Sequence, residues 1–172
     1  MKLIVLSGNS KRNKGWADGA TVASQDNFKD IYTHYYRHWE TGEELINFDF
    51  ELTQVVEKVG DEPVAVFAKS AGSVLTINGN YLGKLKPVRC LFVGLPLGTP
   101  EQEAQLGEKI LSLTVPVTII QNTNDPYSDY ARVKNFVAKV NLPNITLIET
   151  PGDNHDYLDF DLIKSKVPEF FH

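Results

Sequence analysis

The chain of 172 residues has one cysteine, Cys90, and its only methionine is the first residue. A lone thiol excludes an internal disulfide and a cysteine-based zinc site, and it suits a reducing cytoplasm, the expected location. Positive charge is also scarce: 17 Lys and Arg stand against 22 Asp and Glu, for a formal net charge of -5. Nucleic acid and anionic membrane surfaces require the opposite balance, so neither is an expected partner and a small molecule is. No apolar run approaches the roughly 20 residues of a membrane span. Met1-Lys2-Leu3-Ile4-Val5-Leu6 is too short for the apolar region of a signal peptide and leads into Ser7-Gly8-Asn9, so it reads as a first strand. Phosphate loops are missing too, since Ser7-Gly8-Asn9-Ser10 matches neither G-x-x-x-x-G-K-[ST] nor G-x-G-x-x-G. No H-E-x-x-H pair occurs, and neither a cofactor nor a metal is expected. Without repeats, low-complexity tracts or linkers, residues 1–172 are expected to form one domain.

Six short segments rich in β-branched and aromatic residues are present, at 2–6, 30–36, 64–68, 88–93, 117–121 and 145–149. Segments with helical spacing separate them. Phe48, Leu52, Val55, Val56 and Val59 recur along one face before Gly60, and Val74, Leu75, Ile77, Tyr81 and Leu82 mark the helix behind the third strand. Further helices are expected over 16–28, 101–113, 129–140 and 157–171. Strands alternating with helices predict an α/β fold, with a six-stranded parallel sheet between two helical layers in a three-layer α/β/α sandwich. Such sheets bind ligands beyond the carboxyl ends of their strands.

Reactive side chains gather at those ends. The third strand runs into Ala68-Lys69-Ser70-Ala71-Gly72 and then directly into a helix. A serine presented on a strained strand-to-helix turn needs small neighbours, because strand and helix nearly touch there. The same residues also suit an ordinary helix N-cap at Ser70. Asp125 follows the fifth strand in Asn124-Asp125-Pro126, where it also fits a simple turn. His155 follows the sixth in Gly152-Asp153-Asn154-His155, with Asp153 as an alternative acid. Parallel strands bring all three ends to one edge, as a nucleophile, a base and an orienting acid require. His34 and His38 read as structural or surface residues, and the basic cluster Lys11, Arg12 and Lys14 as solvated surface or as a site that favours an acidic substrate group.

In the order Ser70, Asp125, His155, the chain resembles a small, lid-poor member of the α/β-hydrolase superfamily. A glycine and asparagine loop followed by a tryptophan, Gly8-Asn9 then Trp16, is similar to compact serine hydrolases of the retinoblastoma-binding-protein-9 type. The resemblance implies an α/β-hydrolase fold lacking the first two strands, with Ala68 in place of the first elbow glycine. It implies an oxyanion hole made by the N–H groups of Ala71 and Asn9, and a serine hydrolase, carboxylesterase-like, acting on a small ester, thioester or amide. Residues 94–100 are too few for a helical cap. An open site walled by Trp16, Leu95, Leu97 and Tyr127, suited to small acyl groups, is therefore expected. Two other roles remain compatible with such a chain: a binding or scaffold protein, or an acyltransferase or lyase using the same three residues.

Overall fold

Each apolar segment forms a strand of one sheet, and alternate residues along a strand feed opposite cores. The computed structural model describes residues 1–172. The strands are β1 (Lys2–Leu6), β2 (Asp30–His34), β3 (Val64–Lys69), β4 (Pro87–Val93), β5 (Val117–Asn122) and β6 (Ile145–Thr150). They pair in parallel in the order β2-β1-β3-β4-β5-β6. The helices are α1 (Lys14–Ser24), α2 (His38–Thr41), α3 (Phe48–Val59), α4 (Ala71–Tyr81), α5 (Pro100–Ile110), α6 (Tyr130–Val140), α7 (Phe160–Lys166) and α8 (Pro168–Phe171).

On one face, Ile4, Leu6, Val64, Val66 and Phe92 pack with Leu52 and Val55 of α3, Leu75 and Ile77 of α4, Ile110 of α5 and Phe136 of α6. On the other, Leu3, Val5, Ala65, Phe67 and Leu91 meet Trp16 and Ala20 of α1, Ile163 of α7 and Phe170 and Phe171 of α8. Burying each large side chain stabilises the fold by about 1.5–3 kcal/mol. The expected three-layer sandwich with a six-stranded parallel sheet is what forms.

Several boundaries differ from the sequence reading: the second strand ends at His34 rather than 36, the helix expected over 101–113 ends at Ile110, and three further differences change the architecture. The last helix is not continuous over 157–171: Tyr157 turns back with φ 51, Asp159 caps α7, and the chain breaks at Val167 ahead of Pro168. A residue before proline is disfavoured in helical geometry, which ends α7 there. The first helix stops at Ser24 because Phe28 dives into the core beside Phe170. Finally, a short helix, α2, occupies 38–41, where the sequence signalled only a break. It is held by aromatic packing of Tyr36, His38 and Trp39 rather than by helical periodicity.

Candidate functional site

Ser70 sits in the turn between β3 and α4 with φ 52 and ψ -119, a conformation that costs a non-glycine residue free energy and persists only when its surroundings enforce it. Those surroundings are backbone bonds. The Ser70 N–H donates to Val93 O of β4 at 3.1 Å and the Gly72 N–H to Ser7 O at 3.0 Å. A Cβ on Gly72 would lie 2.5 Å from the Leu6 carbonyl oxygen, so only glycine allows this close approach of α4 to β1. The Ser70 side chain makes no capping hydrogen bond, so it is not an ordinary N-cap.

Asp125 is buried in the loop after β5, and its carboxylate is fully engaged. Oδ1 accepts the Tyr127 N–H at 2.9 Å, while Oδ2 accepts both His155 Nδ1–H and the Tyr157 hydroxyl at 2.7 Å. Burial alone would push the Asp125 carboxyl up. The bonds from His155 and Tyr157, the His155 charge and the Tyr127 amide outweigh it and hold the group below its ordinary value. Burial, opposed by the bond from the Asn122 N–H and reinforced by Asp125, pushes the Tyr157 hydroxyl far up, so it stays a donor. Asp153 is exposed, and Asp125 is the acid that His155 engages.

The loop carrying His155 is tied to the end of β5. Thr150 Oγ1 donates to Asn122 Oδ1 at 2.8 Å, Asn122 Nδ2 to Asn154 O at 2.9 Å, and the Asn124 N–H to Gly152 O at 2.9 Å. The imidazole lies against Gly94, where a Cβ would come within 2.8 Å of Cε1, and the Tyr127 ring covers it at 4.5 Å between centroids. Gly94 directly follows Val93, the residue bonded to the Ser70 N–H, so Ser70 and His155 both lie beside the end of β4. No hydrogen bond joins them. His155 Nε2 is buried and has no partner. With Nδ1–H donated to Asp125, Nε2 is the nitrogen left free to accept a proton.

The Ala71 N–H is in the first turn of α4, among the donors a helix leaves without an internal acceptor. The Asn9 N–H likewise donates to no protein acceptor, although the rest of Asn9 is clamped. Its carbonyl accepts from Trp39 Nε1 at 2.7 Å and His38 Nε2 at 2.6 Å, its Oδ1 accepts the Ile46 N–H at 2.8 Å, and its Nδ2 donates to Glu44 O at 3.2 Å. The α2 segment thus holds the loop after β1.

Asn9, Ser70 and Ala71 open onto a groove of about 610 Å³ whose apolar walls include Phe48, Val74, Leu97, Leu106 and Tyr127. Two residues expected in that wall are elsewhere. Trp16 is 2 % exposed and packs edge-on against Phe67 on the opposite face of the sheet, its Nε1 donating to Tyr157 O at 3.0 Å. Leu95 is 0 % exposed in the core, because the Gln121 side chain accepts its N–H at 2.9 Å and draws the start of the loop inward. Leu97 and Tyr127 do line the groove. Phe48 escaped the sequence reading because its helical spacing marked it as core.

Lys69 directly precedes the serine, and nothing in its sequence context marks it as buried. It is 4 % exposed and donates to Asn13 Oδ1 at 2.7 Å. Burial pulls its ammonium down to about 8, against the attraction of Asp156 and Asp125. His34 and His38 are both buried and serve structure, while Lys11, Arg12 and Lys14 are exposed. No group of three or more His, Cys, Asp or Glu side chains is placed to hold a metal ion, and no helix is long and apolar enough to cross a membrane.

No protein-family model matches the sequence, and no curated protein matches it. Solved structures do. A monoacylglycerol lipase from Paleococcus ferrophilus superposes with a TM-score of 0.75 at 9% identity, covering 99% of this chain and 93% of its own. An esterase from Pyrococcus furiosus gives 0.75 at 15% identity over 98% of this chain and 81% of its own. Mouse alpha/beta hydrolase domain-containing protein 10 gives 0.68 at 14% identity, over 98% and 88% respectively. The sheet order, the strand-to-helix turn at Ser70 and these superpositions agree, and the chain has the α/β-hydrolase fold.

Proposed function

We propose that the protein is a cytosolic serine hydrolase that cleaves a small-molecule ester, thioester or amide through an acyl-enzyme on Ser70. The observation that carries this reading is the His155 Nδ1 to Asp125 Oδ2 bond of 2.7 Å, with Nε2 left unpartnered beside the strained serine turn. A hydrolase, an esterase and a lipase among the structural neighbours support the reaction class.

In this mechanism His155 Nε2 takes the Ser70 proton as Oγ attacks the acyl carbon. Catalytic hydrogen bonds of this kind are often long or misaligned before substrate binds, and the Ser70–His155 bond forms in the substrate complex. Asp125 fixes the imidazole tautomer and stabilises the imidazolium. The Ala71 and Asn9 N–H groups receive the oxyanion, an interaction worth roughly 3–4 kcal/mol per donor in such sites. The imidazolium then returns its proton to the leaving group; a water deprotonated by the same nitrogen attacks the acyl carbon, the acyl–Oγ bond breaks, and the imidazolium gives that proton to Ser70 Oγ as the acid leaves.

Fluorophosphonate labelling read by intact mass tests this. Wild type is expected to gain one adduct, and Ser70→Ala and His155→Ala none. A folded wild type that stays unlabelled would leave the chain as a binding protein on a hydrolase scaffold.

A further inference from the structure

Lys69 is a buried cation one residue before the candidate nucleophile, and its surroundings do little to compensate for that burial. An ammonium has three donors, yet Lys69 Nζ makes one protein hydrogen bond, to the neutral amide oxygen of Asn13, and no ion pair within 4 Å. A charge held this way lowers stability, and such groups are retained where they act. Asn13 links it to the loop after β1. Its Nδ2 donates to Ser10 O at 3.0 Å, its own N–H to the same carbonyl at 2.8 Å, and its amide group lies against Gly8, where a Cβ would stand 2.8 Å from Nδ2. Asn9 sits between Gly8 and Ser10 and carries the unpartnered N–H.

We propose that Lys69 and Asn13 are positioning residues of the oxyanion hole: the Lys69 ammonium, through the Asn13 side chain, holds the Asn9 N–H in fixed relation to Ser70 and the Ala71 N–H. This rests on the serine-hydrolase reading. The two oxyanion donors come from separate elements, the loop after β1 and the first turn of α4. The Lys69–Asn13 bond joins the strand that presents the serine to the loop that presents the second donor. Its strength depends on charge, since a charged donor makes a bond about twice as strong as a neutral one. The groups acting on that charge are Asp125 after β5 and Asp156 after β6, with His155 and Tyr157 on the same loops. Lys14, the next residue after Asn13, is turned away over the Tyr35 ring at 5.6 Å. Deprotonation near pH 8 therefore loosens the link, and turnover falls on that alkaline limb to a lower plateau.

The test compares wild type with Lys69→Met, Asn13→Leu, the double variant and Asn13→Asp, using p-nitrophenyl acetate hydrolysis, thermal unfolding and amide NMR. Lys69→Met is expected to raise Tm, because it removes an uncompensated buried charge, while lowering kcat about 10–100-fold with KM within twofold. A lysine that only held structure would lower Tm instead. Asn13→Leu is expected to match Lys69→Met in kcat but to lower Tm, because it strands the buried ammonium, with no further loss of kcat in the double variant. Asn13→Asp, which places a carboxylate on the ammonium, is expected to move the alkaline limb up by about one pH unit or more. The amide spectra do not depend on catalysis. The Asn9 N–H shift should titrate near pH 8 in wild type and be flat in Lys69→Met, even if no probe labels Ser70. An Asn9 signal with the same pH dependence in both proteins overturns the proposal. So does an active wild type whose Lys69→Met variant keeps full kcat, or an alkaline limb unmoved in Asn13→Asp.

Discussion

Tyr157 shows how much one side chain can organise. Its hydroxyl donates to Asp125 Oδ2 at 2.7 Å and accepts the buried Asn122 N–H at 2.9 Å, while its carbonyl accepts from Trp16. The backbone takes φ 51 to place the ring there, two residues after His155. Tyr157→Phe strands a buried N–H and strips one donor from Asp125, so about 1–3 kcal/mol of stability should be lost in urea unfolding. Labelling of Ser70 should slow only severalfold, since the His155–Asp125 bond remains. An unchanged unfolding midpoint would mean that water replaces the hydroxyl. Nothing in the sequence near residue 157 marks this role; the tyrosine read as the start of a helix.

At the scale of elements, β2 and α3 are joined by a buried polar chain. The Tyr32 hydroxyl donates to His34 Nδ1 at 2.9 Å, His34 Nε2–H donates to Glu51 Oε2 at 2.7 Å, and Glu51 Oε1 accepts the Arg37 N–H at 2.9 Å. Burial pulls His34 below its ordinary value of 6.5, and the bond and charge of Glu51 only partly counter this. A base depressed in the folded state leaves the unfolded chain binding more protons below its ordinary value. The stability it contributes is thus complete above about 6.5 and is lost as pH falls from there through the folded value. Denaturant midpoints measured from pH 7.5 to 5 should fall for wild type and fall less for His34→Asn. Because this chain anchors the segment that carries His38 and Trp39 to Asn9, acid should loosen the candidate site before the sheet. The strand and helix cores were legible from period and composition. The α2 segment was not, because four residues of helix held by aromatic packing leave no periodic trace.

For the whole molecule, layer assignment decides which residues can reach a ligand. Trp16 and Leu97 both follow strand ends, yet α1 puts Trp16 on the face away from the groove, while Ser128 Oγ accepts the Leu97 N–H at 3.0 Å and draws that residue to the groove. Phe48, at the first turn of α3, walls the same groove. Phe48→Ala and Leu97→Ala should shift ester preference toward longer acyl chains in a chain-length series. Leu95→Ala should leave the preference alone and cost about 2–5 kcal/mol in stability, as a cavity in a core does. The reverse pattern would return Leu95 to the wall.

The sequence by itself determined the strands, their alternation with helices, and the appearance of Ser70, Asp125 and His155 at three strand ends in that order. Those are local properties: hydrophobic period, turn chemistry, and the small residues Ala68 and Gly72 beside a serine. Parallel pairing then follows from the crossovers and puts the three ends on one edge. Only the tertiary structure decided which partner each group takes. It chose Asp125 over Asp153 for His155, sent Trp16 and Leu95 into the core, and buried Lys69 against Asn13. Such choices depend on contacts between residues as much as 141 positions apart, as in the Trp16 to Tyr157 bond, and no pattern within a segment encodes them.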